Sequence, residues 1–269
     1  MDQYAVIGNP VSHSRSPSIH KAFAEQTGEK LNYQTIHAEE ESFEADVRAF
    51  FSAGGKGLNV TLPFKERAMQ LAEYVDEFAQ KAGAANTLYV NENSQLCCSN
   101  TDGIGLRRDI CENHHIDLKG KKILILGAGG AVRGVLGPLL KMSPNKIVIL
   151  NRTLSKAQQL QKAFDGNVLA AEVSTLNEEK FDVIINGTSA SLHGKLPELP
   201  EFPLREGGLC YDMMYAPDAT VFMQWGVKQG AALCLDGRGM LVEQAAESFK
   251  IWRGVLPETQ DVLHRFPTL

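Results

Sequence analysis

From residue 121 to 236 the chain alternates short, unbroken apolar runs with amphipathic stretches. The runs are Lys122–Leu126, Lys146–Leu150, Val168–Ala170, Asp182–Asn186, Gly208–Asp212 and Ala232–Leu235. A strand that buries one face alternates polar with apolar residues. Runs of Ile, Val and Leu without alternation predict strands covered on both faces, as in a parallel sheet. Leu154–Phe164 and Ala219–Gly230 carry helical spacing between such runs. Strand–helix repetition of this kind predicts a doubly wound parallel sheet of the Rossmann type.

Residues 1–105 follow a looser version of the same grammar. Tyr4–Ile7, Leu31–Ile36, Gly57–Val60, Thr87–Val90 and Gln95–Cys98 are predicted strands; Ser18–Thr27, Phe43–Ala53, Lys65–Tyr74 and Glu77–Lys81 are predicted helices. The polar stretch Glu112–Gly120 is a natural crossing point between domains. A last helix, Met240–Arg253, follows Asp236-Gly237-Arg238-Gly239, a candidate hinge, and is expected to return to the first domain. The expectation is an α/β protein in two parts. Residues 1–105 with 238–269 form a three-layer α/β domain, and residues 106–237 form the doubly wound domain.

Composition narrows the partners. With 43% hydrophobic and 22% charged residues the chain reads as a globular enzyme, and a net charge of −5 leaves no basic face for nucleic acid or anionic lipid. The first residues lack the basic and apolar regions of a signal peptide. The longest apolar candidate for a membrane span, Ile123–Leu140, is Gly-rich and broken by Arg133. Five cysteines without CxxC spacing predict reduced thiols in a cytoplasm. His114-His115 lacks further ligands, so no metal is expected. A small molecule is the expected partner, not nucleic acid or membrane; monomer and homodimer both remain open.

Gly127-Ala128-Gly129-Gly130-Ala131 follows a predicted strand and opens a predicted helix. In such a turn the first glycine permits the bend and the second admits a pyrophosphate to the backbone and the helix N-terminus. Val132 stands at the third glycine position of the GxGxxG pattern, so helix–sheet packing must adjust there. At the end of the next strand a carboxylate would accept hydrogen bonds from the ribose of NAD. Asn151-Arg152-Thr153 offers a cation instead, and Lys156 adds charge one turn later, which favours the 2′-phosphate of NADP(H). The plain alternative for Arg152 is a solvent-exposed residue at a helix start.

Candidate chemistry lies mostly in the first 105 residues. Asn59-Val60-Thr61-Leu62-Pro63-Phe64-Lys65 runs from a strand end into a helix, the usual address of ligands in α/β sheets. Lys65 falls in the first turn, where the helix dipole opposes its charge and suits a lysine that exchanges protons; a surface lysine is the alternative. Asn86-Thr87 and Asn100-Thr101-Asp102-Gly103 are turn-like by composition, yet with Lys65 they assemble a cation, a carboxylate and amides. Ser14 and Ser16 precede a predicted helix. Ser16 before Pro17 suits a helix cap as well as an anion ligand. Gln244, by position alone, is an ordinary surface residue of the last helix.

Taken in order, these segments resemble the shikimate/quinate dehydrogenase family, NADP-dependent enzymes that reduce 3-dehydroshikimate to shikimate in aromatic amino-acid biosynthesis. The resemblance is carried by 7–10 (Ile-Gly-Asn-Pro), Ser14-Arg15-Ser16-Pro17, residues 59–65, 83–87 and 100–103, 127–131, Asn151-Arg152-Thr153, Asn186-Gly187-Thr188, 211–215 and 237–244. It implies that residues 1–105 and 238–269 bind substrate and that 106–237 bind NADP(H). It implies further that Ser14 and Ser16 hold the substrate carboxylate, that Asn59, Thr61, Asn86, Tyr215 and Gln244 surround the ring, and that Lys65 and Asp102 form the catalytic pair. Gly127, Ala128, Gly129, Gly130 and Ala131 would hold the pyrophosphate, with Asn151, Arg152 and Thr153 at the 2′-phosphate. Thr188, Met213 and Gly237 would line the nicotinamide side, with Tyr211 near enough in sequence to contribute. Two departures stand out: Met240 where the family often has Pro or an aliphatic residue, and Ser191-Leu192-His193-Gly194 where it usually has a Gly-Met step. The competing readings are a quinate-preferring relative, a methylene-tetrahydrofolate dehydrogenase and a non-catalytic NADP(H)-binding scaffold.

Overall fold

A computed structural model describes residues 1–164, 166–176, 178–201 and 203–266. The chain divides into two compact units, residues 1–105 with 241–269, and residues 106–240. Both divisions fall inside helices. Glu112–Gly120, expected as a crossing point, lies within the second unit.

The first unit begins β1 (Asp2–Gly8), α1 (Ser16–Thr27), β2 (Leu31–His37), α2 (Phe43–Ser52), β3 (Gly57–Val60), α3 (Lys65–Leu71) and β4 (Tyr74–Val75). It continues with α4 (Glu77–Ala82), β5 (Thr87–Val90), β6 (Leu96–Ser99) and α5 (Asp102–Arg108). Its six-stranded sheet has the order β2-β1-β3-β5-β6-β4. The pairs β1–β2, β1–β3 and β4–β6 are parallel; β3–β5 and β5–β6 are antiparallel. One face packs Ala5, Ile7 and Leu58 against Phe43 and Val47 of α2, Phe64 just before α3 and Ala68 within it. Tyr4, whose side chain alternates with Ala5, stacks instead near Trp252. Period-two alternation along β1 thus serves both outer layers.

The predicted helix at Lys65–Tyr74 ends at Leu71, because Tyr74 and Val75 pair with Cys97 and Cys98. A two-residue strand is too short to register as a periodicity. Asp76 then caps α4 by accepting a hydrogen bond from the Ala79 N–H at 2.7 Å.

The second unit contains β7 (Lys122–Leu126), α6 (Gly130–Leu140), β8 (Lys146–Leu150), α7 (Leu154–Ala163), β9 (Val168–Ala171), β10 (Phe181–Asn186), β11 (Leu204–Asp212), α8 (Val221–Lys228) and β12 (Leu233–Leu235). All strands are parallel, in the order β12-β11-β10-β7-β8-β9. Counting within the unit, this is 6-5-4-1-2-3, the doubly wound order of dinucleotide-binding sheets. The apolar runs explain it residue by residue. Ile123, Ile125, Ile147, Ile149, Val183 and Ile185 enter one core cluster, while Leu124, Leu126, Val148, Leu150 and Ile184 enter another. The apolar runs of β7, β8 and β10 are unbroken because both faces of these strands are covered.

The chain closes with α9 (Arg238–Arg253) and α10 (Gln260–Arg265), the latter unforeseen in the sequence. The glycines of the expected hinge at 236–239 are accounted for by packing. Gly239 already lies in α9, and neither Gly237 nor Gly239 has positive φ. A Cβ on Gly237 would lie 2.3 Å from the Met213 carbonyl oxygen, and one on Gly239 would lie 1.9 Å from Asp109 Oδ1. These glycines permit close packing. Among the described residues no helix is long and apolar enough to cross a membrane.

Candidate active site

Lys65 opens α3 and Asp102 opens α5, and the first unit brings those helix starts together. Lys65 Nζ donates to Asp102 Oδ2 at 2.6 Å, with both side chains largely buried. The turn before Lys65 is fixed from several sides. The Thr61 N–H donates to the Ile7 carbonyl at 3.0 Å, and the Asn9 N–H to the Leu62 carbonyl at 3.0 Å. A Cβ on Gly8 would lie 2.2 Å from Thr61 Cγ2, so only glycine at the end of β1 lets this turn cross so closely. Phe64 stacks on Phe43 at 4.4 Å, and Arg67 grips Glu44 with two nitrogens while lying over both rings.

Asp102 is oriented by its second oxygen. Oδ1 accepts from Asn86 Nδ2 at 2.8 Å, and the Asp102 N–H donates to Asn100 Oδ1 at 3.1 Å. Asn86 is the hub of the cluster. Its Oδ1 accepts from the Thr101 N–H and the Thr87 hydroxyl, both at 2.9 Å. Its Nδ2 faces three acceptors: Asp102 Oδ1, Thr101 Oγ1 at 2.9 Å and Gln244 Oε1 at 3.2 Å. Two hydrogens cannot serve three acceptors at once. The charged oxygen holds its bond most strongly, so Thr101 and Gln244 compete for the other. Asn86, Thr87, Thr101 and Gln244 are all buried, which sets aside the turn reading of the Asn-Thr pairs and the surface reading of Gln244.

Sequence reasoning missed Ser248. It lies wholly buried on α9, with Oγ 3.0 Å from Asn59 Nδ2, 2.8 Å from Thr87 Oγ1 and 3.1 Å from the Gln244 carbonyl. The one available signal was its i+4 spacing from Gln244. Asn59 itself is revised. Its Oδ1 accepts from the Tyr33 hydroxyl at 2.7 Å, while Nδ2 bonds Ser248 and the Asn86 carbonyl. With both ends engaged, Asn59 supports the cluster from beneath and has no donor left for a ligand.

Ser14 and Ser16 meet at the start of α1, where the Ser16 N–H donates to Ser14 Oγ at 3.3 Å. Ser16 is not the helix cap: Arg15 occupies that position and no side chain caps the helix. In the same unit the Tyr33 phenol donates to Asn59 Oδ1. Behind that phenol lies His20, wholly buried and stacked on Tyr33 at 4.3 Å with 7° between the planes. Neither imidazole nitrogen has a hydrogen-bond partner among the described residues. Burial pushes the His20 imidazole down to about 3.

In the second unit the predicted cofactor residues lie past the carboxyl ends of β7, β8, β10, β11 and β12, on both sides of the point where strand order reverses. Gly127 has φ +103°, and a Cβ on it would lie 3.1 Å from Thr188 Cγ2; both conformation and approach require glycine. Gly129 and Gly130 differ. A Cβ on either would meet no protein atom within 4 Å, so packing does not explain them. They form an exposed cradle at the start of α6, whose first-turn N–H groups lack intrahelical acceptors. These residues fit a pyrophosphate. The missing third glycine is compensated from another strand: Val132 Cγ2 lies 2.3 Å from where a Cβ on Gly187 would be. Gly187 also brings Met213 Sδ within 3.3 Å of that point. Asn186, wholly buried, accepts from the Thr188 N–H and hydroxyl and donates to Asp212 Oδ1 at 2.9 Å, fixing the loop that carries Thr188.

Asn151, Arg152 and Thr153 follow β8, with the Arg152 side chain exposed. Asn151 Nδ2 donates to the Thr153 carbonyl at 2.8 Å, holding the turn. Tyr215 is half-buried in the second unit. Tyr211 does not line a ligand surface. It is wholly buried, its hydroxyl donates to Asp109 Oδ2 at 2.7 Å, and burial raises its phenol well above the ordinary value.

Three family models match the chain in sequence order. They are the shikimate dehydrogenase substrate binding domain over residues 6–88, shikimate / quinate 5-dehydrogenase over 109–193, and the shikimate 5′-dehydrogenase C-terminal domain over 237–264. The NADP(+) shikimate dehydrogenase of Marinobacter nauticus is 51% identical, covering 99% of this chain and 98% of the relative. That of Hahella chejuensis is 53% identical over 98% and 97%. Among solved structures, an Ael1 enzyme from Pseudomonas putida superposes with a TM-score of 0.94 at 44% identity, covering 98% of each chain. Shikimate 5-dehydrogenase from Thermus thermophilus, in complex with NADP(H) and shikimate, gives 0.88 at 30% identity, again over 98% of each. With half its residues identical to such relatives across nearly its whole length, this chain belongs to the shikimate dehydrogenase family.

Proposed function

We propose that this protein catalyses the reversible NADPH-dependent reduction of 3-dehydroshikimate to shikimate, a step toward chorismate and the aromatic amino acids. The observation that carries this reading is the 2.6 Å Lys65–Asp102 pair, with its carboxylate anchored on Asn86. Reduction of a ring ketone makes an alkoxide that needs a proton. Lys65 donates that proton and stabilises the oxygen's negative charge. Asp102 keeps the ammonium aimed at the reacting oxygen and accepts a hydrogen bond from a neighbouring hydroxyl. Ser14, Ser16 and the N-terminus of α1 hold the substrate carboxylate, where hydroxyl donors and the helix dipole both favour an anion. Thr61, Asn86, Gln244 and Tyr215 recognise the ring hydroxyls. Asn59 acts through Asn86.

NADPH, when bound, supplies the hydride. Residues 106–237 serve as its domain and residues 1–105 with 238–269 as the substrate domain. Gly127, Ala128, Gly129, Gly130 and Ala131 cradle the pyrophosphate, while Thr188, Met213 and Gly237 border the nicotinamide. Asn151, Arg152 and Thr153 read the 2′-phosphate. Arg152→Ala should therefore lower kcat/KM for NADP⁺ by about 10- to 100-fold, the loss of one charge-assisted contact, and leave that for NAD⁺ unchanged. An unaltered ratio of the two cofactors would remove Arg152 from this role. The reaction is assigned to the cytoplasm, consistent with five unpaired cysteines.

The reading is tested by following NADP⁺ reduction with shikimate, quinate and a simple hydroxy acid side by side. Turnover of shikimate well above the other two is expected. Tight NADPH binding without turnover of any of them would point to a non-catalytic scaffold instead.

A further inference from the structure

Asp212 is a wholly buried carboxylate that the proposed chemistry leaves unused. It ends β11, directly opposite Asn186 at the end of β10. Its Oδ1 accepts from Asn186 Nδ2 at 2.9 Å and from the Met214 N–H at 3.1 Å. Its Oδ2 accepts from the Thr220 hydroxyl at 2.7 Å. Thr220 also caps α8, accepting from the Met223 N–H at 3.2 Å, so its one proton serves Asp212. Both ends of the segment from Met214 to Thr220 thus rest on a single side chain. None of its three donors is charged. A carboxylate is costly to bury with neutral donors alone, so packing does not account for it.

The residues proposed at the nicotinamide side all connect to this group. The Thr188 N–H and hydroxyl donate to Asn186 Oδ1 at 3.0 and 2.7 Å, and the Met213 N–H donates to the Asn186 carbonyl at 2.9 Å. The Gly237 N–H donates to the carbonyl of Met214 at 3.0 Å, and the Met214 N–H is held by Asp212. We infer that Asp212 is a positioning residue for the nicotinamide ring: paired with Asn186, it fixes the loops after β10, β11 and β12 against one another. The inference rests on the proposed NADP(H) site. A carboxylate suits this place because both of its oxygens only accept. An amide there keeps most of the arrangement. Its oxygen still serves Asn186 and Met214, and its nitrogen meets the second lone pair of Thr220 Oγ1.

The test compares Asp212→Ala and Asp212→Asn with wild type, using two probes. 2′,5′-ADP carries the adenosine and the 2′-phosphate but no nicotinamide, whereas the emission of bound NADPH reports on the dihydronicotinamide itself. In Asp212→Ala the Kd of 2′,5′-ADP should stay within about twofold, because that half of the site does not depend on Asp212. The emission change that NADPH shows on binding wild type should be lost. With it kcat should fall about 10²-fold, the scale for a hydride donor displaced by about 1 Å. Asp212→Asn should recover the emission change and bring kcat within about fivefold of wild type, since only the Thr220 bond is altered. Equal damage to both probes in Asp212→Ala, binding of neither included, marks a merely structural residue and overturns the inference. An alanine variant with wild-type emission and kcat overturns it too, as does an asparagine variant no better than alanine. Wild type that binds 2′,5′-ADP but leaves NADPH emission unchanged removes the nicotinamide assignment. Wild type that binds neither probe overturns the cofactor reading and this inference with it.

Discussion

Replacing Lys65 with alanine is expected to lower kcat by about 10³-fold, within the usual range for loss of a positioned acid, while KM for shikimate changes only a few-fold. In the proposed mechanism the proton from Lys65 is needed only as charge develops on the ketone oxygen. Its removal should therefore strike the transition state and spare ground-state binding, which that mechanism assigns to Ser14, Ser16 and the ring contacts. Asp102 Oδ1 also accepts from Asn86 Nδ2 at 2.8 Å, a bond that does not involve Lys65, so the carboxylate is expected to keep its orientation in the variant. Steady-state kinetics in both directions decides the matter. A large rise in KM at normal kcat would reassign Lys65 to substrate binding.

Acid should weaken the wild-type fold in a way that His20→Phe does not share. The His20 imidazole is held near 3 when folded, against an ordinary 6.5. Between those values the unfolded chain takes up a proton that the folded chain refuses. Stability is therefore present in full above about pH 6.5 and is lost as pH falls toward 3. The difference of 3.5 pH units corresponds to a loss of about 5 kcal/mol at its limit, accumulating at about 1.4 kcal/mol per pH unit. Phenylalanine retains an aromatic ring for the stack and removes both unpartnered nitrogens.

The measurement is urea unfolding from pH 7 to pH 4. Trp252, 5.3 Å from His20, reports on the first unit in a Trp225→Phe background. Subtracting the variant's curve from the wild-type curve cancels the other titrating groups and leaves the slope due to His20. Parallel curves would show that His20 protonates in the folded state without penalty.

Much of the second unit was legible because its information is local. Apolar runs of five residues, separated by helical stretches, dictate strands covered on both faces. Gly127 with φ +103° is a turn that other residues rarely adopt. Where local reading failed, the cause was a partner elsewhere in the chain. Gly237 and Gly239 read as a hinge but are glycines because Met213 and Asp109 crowd them. Val132 read as a defect in the phosphate turn, yet Gly187, at the end of the neighbouring strand β10, makes room for it. Tyr211 is near enough in sequence to contribute to the nicotinamide side, yet Asp109 holds its hydroxyl inside.

The first unit shows the division most clearly. Sequence alone determined that Lys65 begins a helix after a strand end, since Pro63 and the apolar runs act on near neighbours. It placed Asp102 after another strand end in a turn-like segment, and the helix start there was not expected. Only the tertiary structure decided that those starts face each other 2.6 Å apart, and that Asn86 meets Gln244 across 158 positions of chain. It also turned Asn59 from a ligand contact into a support and placed Ser248 and Tyr33 behind the cluster. The physical reason is range. Backbone preference and hydrophobic period act over a few residues, whereas a buried polar atom takes whichever partner packing delivers, at any separation along the chain.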